Sequence, residues 1–140
     1  MKALEFEQQN AVFAKDQKEY MPLPAHVQNN GLVTFCMQLS DEEIEGVKKT
    51  KKLKLSVLTF GRPVQPIRIS TATPEFPIPA IGRFHCNPVS CGEGPTAPAT
   101  LKIELLPIQL HMIKATGVFW VTVATFGTPL QPITYKNWVG

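Results

Sequence analysis

The sequence predicts an α+β fold dominated by β-strands and built from two copies of one unit. The motif TFGRPVQPI at 59–67 recurs as TFGTPLQPI at 125–133, an offset of 66 residues. Each copy also carries one short helical segment between two β-rich runs. Thirteen prolines among 140 residues are about twice the usual share and recur at matched positions. Because proline cannot donate to a strand ladder, these positions predict turns, strand starts and sheet edges.

The repeat divides the chain into an N-terminal arm at 1–19, a first repeat at 20–70 and a second repeat at 71–140. The second repeat contains an inserted loop at 83–99. Each repeat alone is of a size at which a single unit is only marginally stable, because too little of its surface can be buried. We therefore expect two pseudo-symmetric repeats packed as one globular unit, each a small antiparallel sheet with one short helix.

The arm has no counterpart in the second copy, and it can either pack along its own body or reach a neighbouring subunit. Asn29, Asn30 and Gly31 are turn residues, and an apolar, partly β-branched run follows at Leu32–Met37. This run predicts a strand.

The helix of the first copy has the clearest local signal in the chain. Ser40 is a suitable N-cap, and Glu43 three residues later completes a capping box. The helix is expected to end at Thr50. Lys51 aligns with Gly117, the residue type that most readily adopts a left-handed conformation after a helix. A positive φ is therefore predicted for Lys51.

The second helix begins with Pro107, since proline is tolerated at the first helical position. Strands are predicted after the helices at Leu53–Phe60 and Phe119–Phe126, with alternate apolar residues on one face. The Gly-x-Pro turn that follows each strand predicts either a hairpin or a bent strand that changes sheet.

The opposite faces of these two strands differ in chemistry. Lys54 and Ser56 predict a solvated face in the first copy, whereas Trp120 and Thr122 predict a partly covered face in the second.

Composition excludes several classes of protein. The net charge of +3 and the pI of about 8.8 tolerate an acidic partner but fall short of a dedicated nucleic-acid binder. No apolar run approaches the roughly 18 residues of a membrane span, and the first residues lack the pattern of a signal peptide. Three cysteines argue against a complete disulfide framework and favour a reducing cytosol.

His85, Cys86 and Cys91 lie within seven residues and have the donor atoms that zinc binds. Their spacing does not match structural zinc sites, so we predict no metal site. These three residues are the weak candidates for metal ligands in this chain. A local disulfide between the two thiols is a second interpretation, and free loop thiols are favoured over both. Adjacent residues of a strand point to opposite faces, which counts against catalysis by a cysteine–histidine pair.

The sequence predicts no catalytic residue, no cofactor and no enzyme, because it contains none of the phosphate-binding, dinucleotide-binding or metalloprotease motifs. The basic run KKTKKLK at 48–54 could contact phosphates. The second copy has KATGVFW at the same place, which favours a solvated helix end.

Gln65 and Gln131 occupy matched places in apolar surroundings. They could bind a ligand or a peptide backbone at two equivalent sites, but we favour a structural role in which they satisfy the backbone groups that Pro66 and Pro132 leave unpaired. Arg83 in the inserted loop and Trp138 near the C-terminus are further interaction candidates.

The region 8–70 resembles small uncharacterised proteins of tailed bacteriophages and prophages. The resemblance rests on Leu23-Pro24, a strand that ends in Cys36, the helix LSDEEIEGVKKT at 39–50 and a strand leading to Gly61 and two prolines. This chain departs from the pattern at Met37 and Lys51, where Trp and Gly are common, and by its duplication.

The resemblance implies a phage protein without an assigned activity. Together with the missing catalytic motifs, it predicts a non-enzymatic protein acting through protein–protein contacts, most simply a structural or accessory virion component. The arm and the loop would then make contacts between subunits, so a homo-oligomer is expected. The alternative is an inhibitor of a host defence system that binds a host protein or sequesters a signalling nucleotide. The expected location is the virion or the cytoplasm of the bacterial host, with no membrane and no nucleic-acid partner.

Overall fold

The computed structural model describes residues 1–13, 22–58, 62–79, 90–91, 98–131 and 133–135. Within these residues the chain forms ten strands and two helices. In chain order they are β1 (Lys2–Leu4), β2 (Ala11–Phe13), β3 (Leu23–Val27), β4 (Leu32–Gln38), α1 (Asp41–Thr50), β5 (Lys52–Leu58), β6 (Ile67–Ser70), β7 (Ser90–Cys91), β8 (Pro98–Glu104), α2 (Pro107–Thr116), β9 (Val118–Ala124) and β10 (Ile133–Tyr135).

The strands form two sheets in which every described pairing is antiparallel. The first sheet has the order β2-β3-β4-β9-β6, and β1 also pairs with β4. The second has the order β10-β5-β8-β7. The predicted β-dominated α+β class is confirmed.

The expectation that each copy forms its own sheet is wrong. β4 of the first copy pairs with β9 of the second, and β5 of the first pairs with β8 of the second. The physical reason lies in the helices. Each helix carries the chain from one sheet to the other, so the strand that follows it meets a strand of the opposite copy. We call these two pairings the strand exchange.

The offset of 66 residues also relates the elements of the structure. Leu32–Gln38 becomes Pro98–Glu104, and the bounds of α1 and β5 become those of α2 and β9 in the same way. The pairing registers follow the same rule, since Leu32 lies opposite Ala124 and Leu58 lies opposite Pro98.

One hydrophobic cluster draws on both sheets and both helices. The alternation predicted after each helix is confirmed, because the inward-facing residues of β5 and β9 are at most 1% exposed. These residues are Leu53, Leu55, Val57, Phe119, Val121 and Val123. Val47 of α1 and Ile113 of α2 are fully buried against them.

The helix caps match the sequence signals. Glu43 N donates to Ser40 Oγ at 3.2 Å, and Ser40 N donates to Glu43 Oε1 at 2.9 Å, which confirms the capping box. The helix ends at Thr50, and Lys51 has a φ of 58° as predicted. In the second copy Gly117 holds the same place with a φ of 69°.

β5 and β6, which flank the Gly-x-Pro motif of the first copy, belong to different sheets. β6 pairs with β9 in the first sheet, whereas β5 belongs to the second. A hairpin between β5 and β6 is therefore wrong, and the chain changes sheet between these two strands.

Ser56 was expected to be solvated, but it is buried, and its hydroxyl lies 3.4 Å from that of Thr100 on the neighbouring strand, which gives it a polar partner. The covering of Trp120 is confirmed, since the rings of Phe6 and Phe76 pack against it at centroid distances of 5.1 and 6.3 Å. Ala99, assigned to the inserted loop, belongs to β8 because it pairs with both Val57 and Cys91.

The described part of the arm packs on its own body. β1 pairs with β4 and β2 pairs with β3. The α-amino group of Met1 forms an ion pair with Glu43, so the arm is also tied to the first turn of α1. Residues 14–19 of the predicted arm lie outside the described residues.

Candidate functional site

The two copies of the repeated motif meet at an open groove of about 810 Å³. Residues 62–66 of the first copy line one side, and residues 128–131 of the second line the other, together with Thr125 and Phe126. We call this feature the motif groove. Most of its described lining is apolar.

A reciprocal pair of glutamines crosses the motif groove. Gln65 N donates to Gln131 Oε1, and Gln131 N donates to Gln65 Oε1, both at 2.9 Å. Each glutamine is only 7% exposed. The pair therefore joins the backbones of the two copies at a buried point, and we call it the glutamine clasp.

The amide nitrogens of the clasp also bind protein groups. Gln65 Nε2 donates to Thr128 Oγ1 and to the carbonyl of Pro129, each at 2.9 Å. Gln131 Nε2 donates to the carbonyl of Pro63 at 2.9 Å. These contacts support the structural interpretation of both glutamines. Each glutamine satisfies the backbone N–H of the other glutamine. The side-chain amides also bond to the carbonyls of Pro63 and Pro129, which lie two residues before the glutamines.

Phe126 lies at the edge of the groove in an unusual turn. Its φ is 52° and that of Gly127 is 80°, and Thr128 N donates to the Thr125 carbonyl at 3.0 Å. A bulky residue with positive φ is strained by roughly 1–2 kcal/mol. The ring is nevertheless 77% exposed, so burial of the ring does little to offset that strain.

The surrounding hydrogen bonds hold this strained turn in place. Thr125 donates from both N and Oγ1 to the Gly31 carbonyl, at 2.9 and 2.6 Å. Thr128 Oγ1 donates to the Thr125 carbonyl at 2.6 Å and in turn accepts from Gln65. Gly31 has a φ of 88°, and a Cβ there would lie 3.2 Å from Phe126 N. Strain that is fixed in this way by its surroundings points to a functional role.

The described lining offers little chemistry beyond binding. It contains no carboxylate, imidazole or thiol, and therefore no general acid, general base or thiol nucleophile. Arg62 is its one charged side chain and is exposed. The arrangement can bind an apolar surface or a flat ring, with a cation at its rim.

The structure brings two of the predicted interaction residues together, Gln65 and Gln131. Arg83, His85, Cys86 and Trp138 lie outside the described residues, and Cys91 is described only as backbone in β7. Sequence reasoning missed Phe126 as a surface residue. The signal for it was present, because an aromatic residue directly before a turn glycine at the end of a strand is a candidate for exposure at the turn.

Metal and thiol sites can be assessed for part of the chain. Among the described residues no cluster of three histidine, cysteine, aspartate or glutamate side chains is arranged to hold a metal ion. Cys36 is a buried free thiol, and burial raises its pKa to about 11. A thiol with such a pKa is a poor nucleophile at neutral pH.

Comparison of the chain with protein-family models, with curated proteins and with solved structures gives no match. In the described part of the chain, neither helix is long and apolar enough to cross a membrane.

Proposed function

We propose that this chain is a non-enzymatic bacteriophage protein that acts through protein–protein contacts as a structural or accessory component of the virion. The observation that carries the proposal is the exposed, strained Phe126 beside the motif groove. The resemblance of residues 8–70 to small phage proteins gives the context. Its partners are other copies of itself or other phage proteins, and its location is the virion or the host cytoplasm.

Phe126 is unfavourable in the isolated chain, because its backbone is strained and its ring is exposed to water, and this favours a protein partner. Asn or Gly would occupy the same turn with less strain and without exposing a ring to water. Aromatic side chains beside apolar grooves are common anchors of protein interfaces, because their burial on binding is strongly favourable. Phe126 therefore contributes more to a complex than to the isolated fold.

The test uses purified phage particles and the variant Phe126→Asn. Mass spectrometry should detect the protein in wild-type particles, and the variant should be incorporated at least tenfold less while it remains folded. Ile108→Asn is the matched control, because Ile108 is 63% exposed on α2 and does not line the groove. Absence of the wild-type protein from particles, or equal incorporation of both variants, would contradict the virion proposal.

A second candidate function is inhibition of a host defence system, by binding a host protein or sequestering a signalling nucleotide. The groove of about 810 Å³ is within the size range of small-molecule sites. Arg62 could pair with a phosphate and Phe126 could stack on a base. A rise in melting temperature with one member of a cyclic-nucleotide panel, lost in Arg62→Ala, would support sequestration, and an unchanged melting temperature across the panel would exclude it.

We also propose that the two copies are pseudo-symmetric units related by a two-fold axis near the glutamine clasp. The shared offset of 66 residues in element bounds and registers supports this arrangement. Val57→Ala and Val123→Ala are equivalent buried substitutions. Each should lower the free energy of unfolding by about 2 kcal/mol. A difference above about 1.5 kcal/mol between them would argue against equivalent environments.

A homo-oligomer belongs to the same proposal. Light scattering of the purified chain should give a mass of two or more times 15.5 kDa. A mass of one chain across the accessible concentration range would contradict it.

A further inference from the structure

A group of lysines lies on the outer side of the second sheet, where β5 and β8 begin and end. Leu53 and Leu55 of β5 point into the core, so the alternating residues Lys52 and Lys54 point outward. Lys102 of β8 is exposed on the same side, and Lys51 immediately precedes β5. We call Lys51, Lys52, Lys54 and Lys102 the lysine face.

The pairing register concentrates positive charge on this face. Lys54 lies directly opposite Lys102, while Lys52 lies opposite Glu104. Like charges at opposed positions of neighbouring strands are destabilising. The offset of 66 residues relates these two lysines to Trp120 and Cys36, which also lie opposite each other. The fold therefore accepts uncharged residues at this pair of positions.

The backbone at Lys51 gives a second, independent indication. Lys51 ends α1 with a φ of 58°, and its counterpart Gly117 ends α2 with a φ of 69°. Glycine adopts this conformation without strain, whereas a side chain makes it unfavourable. The first copy thus has a strained lysine at a helix end where the second copy has an unstrained glycine.

We infer that the lysine face is a docking surface for an acidic segment of a protein partner. Two separate features, an opposed lysine pair and a strained lysine, each reduce stability and each add positive charge at the same place. Charge complementarity with carboxylates accounts for both. This surface is separate from the motif groove, and the inference does not depend on the function proposed for that groove.

The chemistry of the face favours a peptide over a nucleic acid. The four residues that define the face are all lysines, and none of them offers an aromatic ring on which bases could stack. The net charge of the chain is only +3, which is low for a nucleic-acid binder. Lys52 and Lys54 are two residues apart on one strand, so their spacing of roughly 7 Å matches carboxylates at alternate positions of an extended segment.

The binding test uses a fluorescein-labelled peptide of about six Glu-Ser repeats, measured by fluorescence anisotropy at low salt. Affinity should fall as salt is added, because Lys51 and Lys102 are exposed and Lys52 and Lys54 are half-buried, so dissolved ions can screen their charges. The double variant Lys54→Gln/Lys102→Gln should bind about tenfold more weakly, at roughly threefold for each lost charge pair. Lys114→Gln on α2 is the matched control and should bind like the wild type, as should Phe126→Asn in the groove.

The variant Lys51→Gly distinguishes a role of Lys51 in peptide binding from a role in the stability of the fold. This variant should raise the urea midpoint of unfolding and at the same time weaken peptide binding about threefold. A peptide affinity unchanged in the double variant would overturn the proposal. So would a midpoint that does not rise in Lys51→Gly. If an oligothymidine of about twelve nucleotides binds more tightly than the peptide at the same salt concentration, the face is a nucleic-acid surface and the inference is wrong.

Discussion

Removal of either side chain of the glutamine clasp should destabilise the whole fold. Gln131→Ala deletes the acceptor for Gln65 N and the donor to the Pro63 carbonyl, both at 2.9 Å. Gln65→Ala deletes the acceptor for Gln131 N and two donated bonds, to Thr128 and to the Pro129 carbonyl. In each variant a backbone amide that was paired in a buried site loses its partner.

The expected loss follows from the number and burial of these bonds. A neutral intramolecular hydrogen bond contributes about 1 kcal/mol net, and a buried donor left without a partner costs about 1–3 kcal/mol. Gln131→Ala should therefore lower the free energy of unfolding by about 2–4 kcal/mol. Gln65→Ala should cost somewhat more, since it loses one further bond and releases Thr128 beside the strained turn.

Urea denaturation followed by circular dichroism measures this loss, with the free energy taken from the midpoint and the slope. Gln8→Ala is the control, because the Gln8 side chain is exposed and the contact with His26 is made by the main-chain carbonyl oxygen of Gln8, which the variant keeps. That variant should change stability by less than about 0.5 kcal/mol. If both clasp variants also stay within about 0.5 kcal/mol of the wild type, the clasp does not hold the two copies together and the reasoning fails.

Further predictions concern three other buried or strained positions, Cys36, Glu43 and Gly31. Cys36 should react with a thiol reagent at pH 8 about 100-fold more slowly than an ordinary thiol. Its pKa is raised from 9.0 to about 11, and each unit lowers the thiolate fraction about tenfold. Mass spectrometry of the labelled Cys36 peptide measures the rate, and equal labelling of folded and unfolded protein would refute the prediction. Stability should also fall between pH 9 and 11, because the unfolded thiol loses its proton before the folded one, and Cys36→Ala should lack this part of the pH dependence. Glu43→Ala should cost about 3–5 kcal/mol in urea denaturation, because it removes the capping bond to Ser40 N and leaves the half-buried α-amino group of Met1 without its partner. Gln109→Ala, which removes only the equivalent capping bond of α2, should cost about 1 kcal/mol or less. Similar losses in the two variants would show that the ion pair adds nothing to stability. Gly31→Ala should lower the melting temperature by several degrees, since its Cβ would press on Phe126 N and its φ is positive; an unchanged melting temperature would show that the two turns are not coupled.

The sequence predicted those parts of the fold that depend on neighbouring residues. The capping box of Ser40 and Glu43 and the positive φ of Lys51 are set within one helical turn. The inward faces of the strands after the helices follow from alternation along each strand. Comparison of the two copies supported the predicted end of α1, because glycine is typical of the residue after a helix and Gly117 aligns with Lys51.

The remaining features depend on residues far apart in the chain. Alternation shows which face of a strand is buried, but it does not show which strand lies alongside it, so the strand exchange was not predicted. Ser56 is buried beside Thr100, a residue of another strand whose hydroxyl lies 3.4 Å from its own. The exposure of Phe126 depends on hydrogen bonds from Thr125 to Gly31, which is 94 residues away.

The strand exchange also sets the moment at which the chain can fold during synthesis. β4 is complete at residue 38, but its partner β9 ends only at Ala124. At ordinary rates of translation the apolar residues of β4 wait roughly 4–17 s for that partner to be made. The first copy therefore leaves the ribosome as an unfinished sheet. We expect nascent chains halted before β8 to bind chaperones or aggregate, and both halves to become protease-resistant together after β9 has emerged.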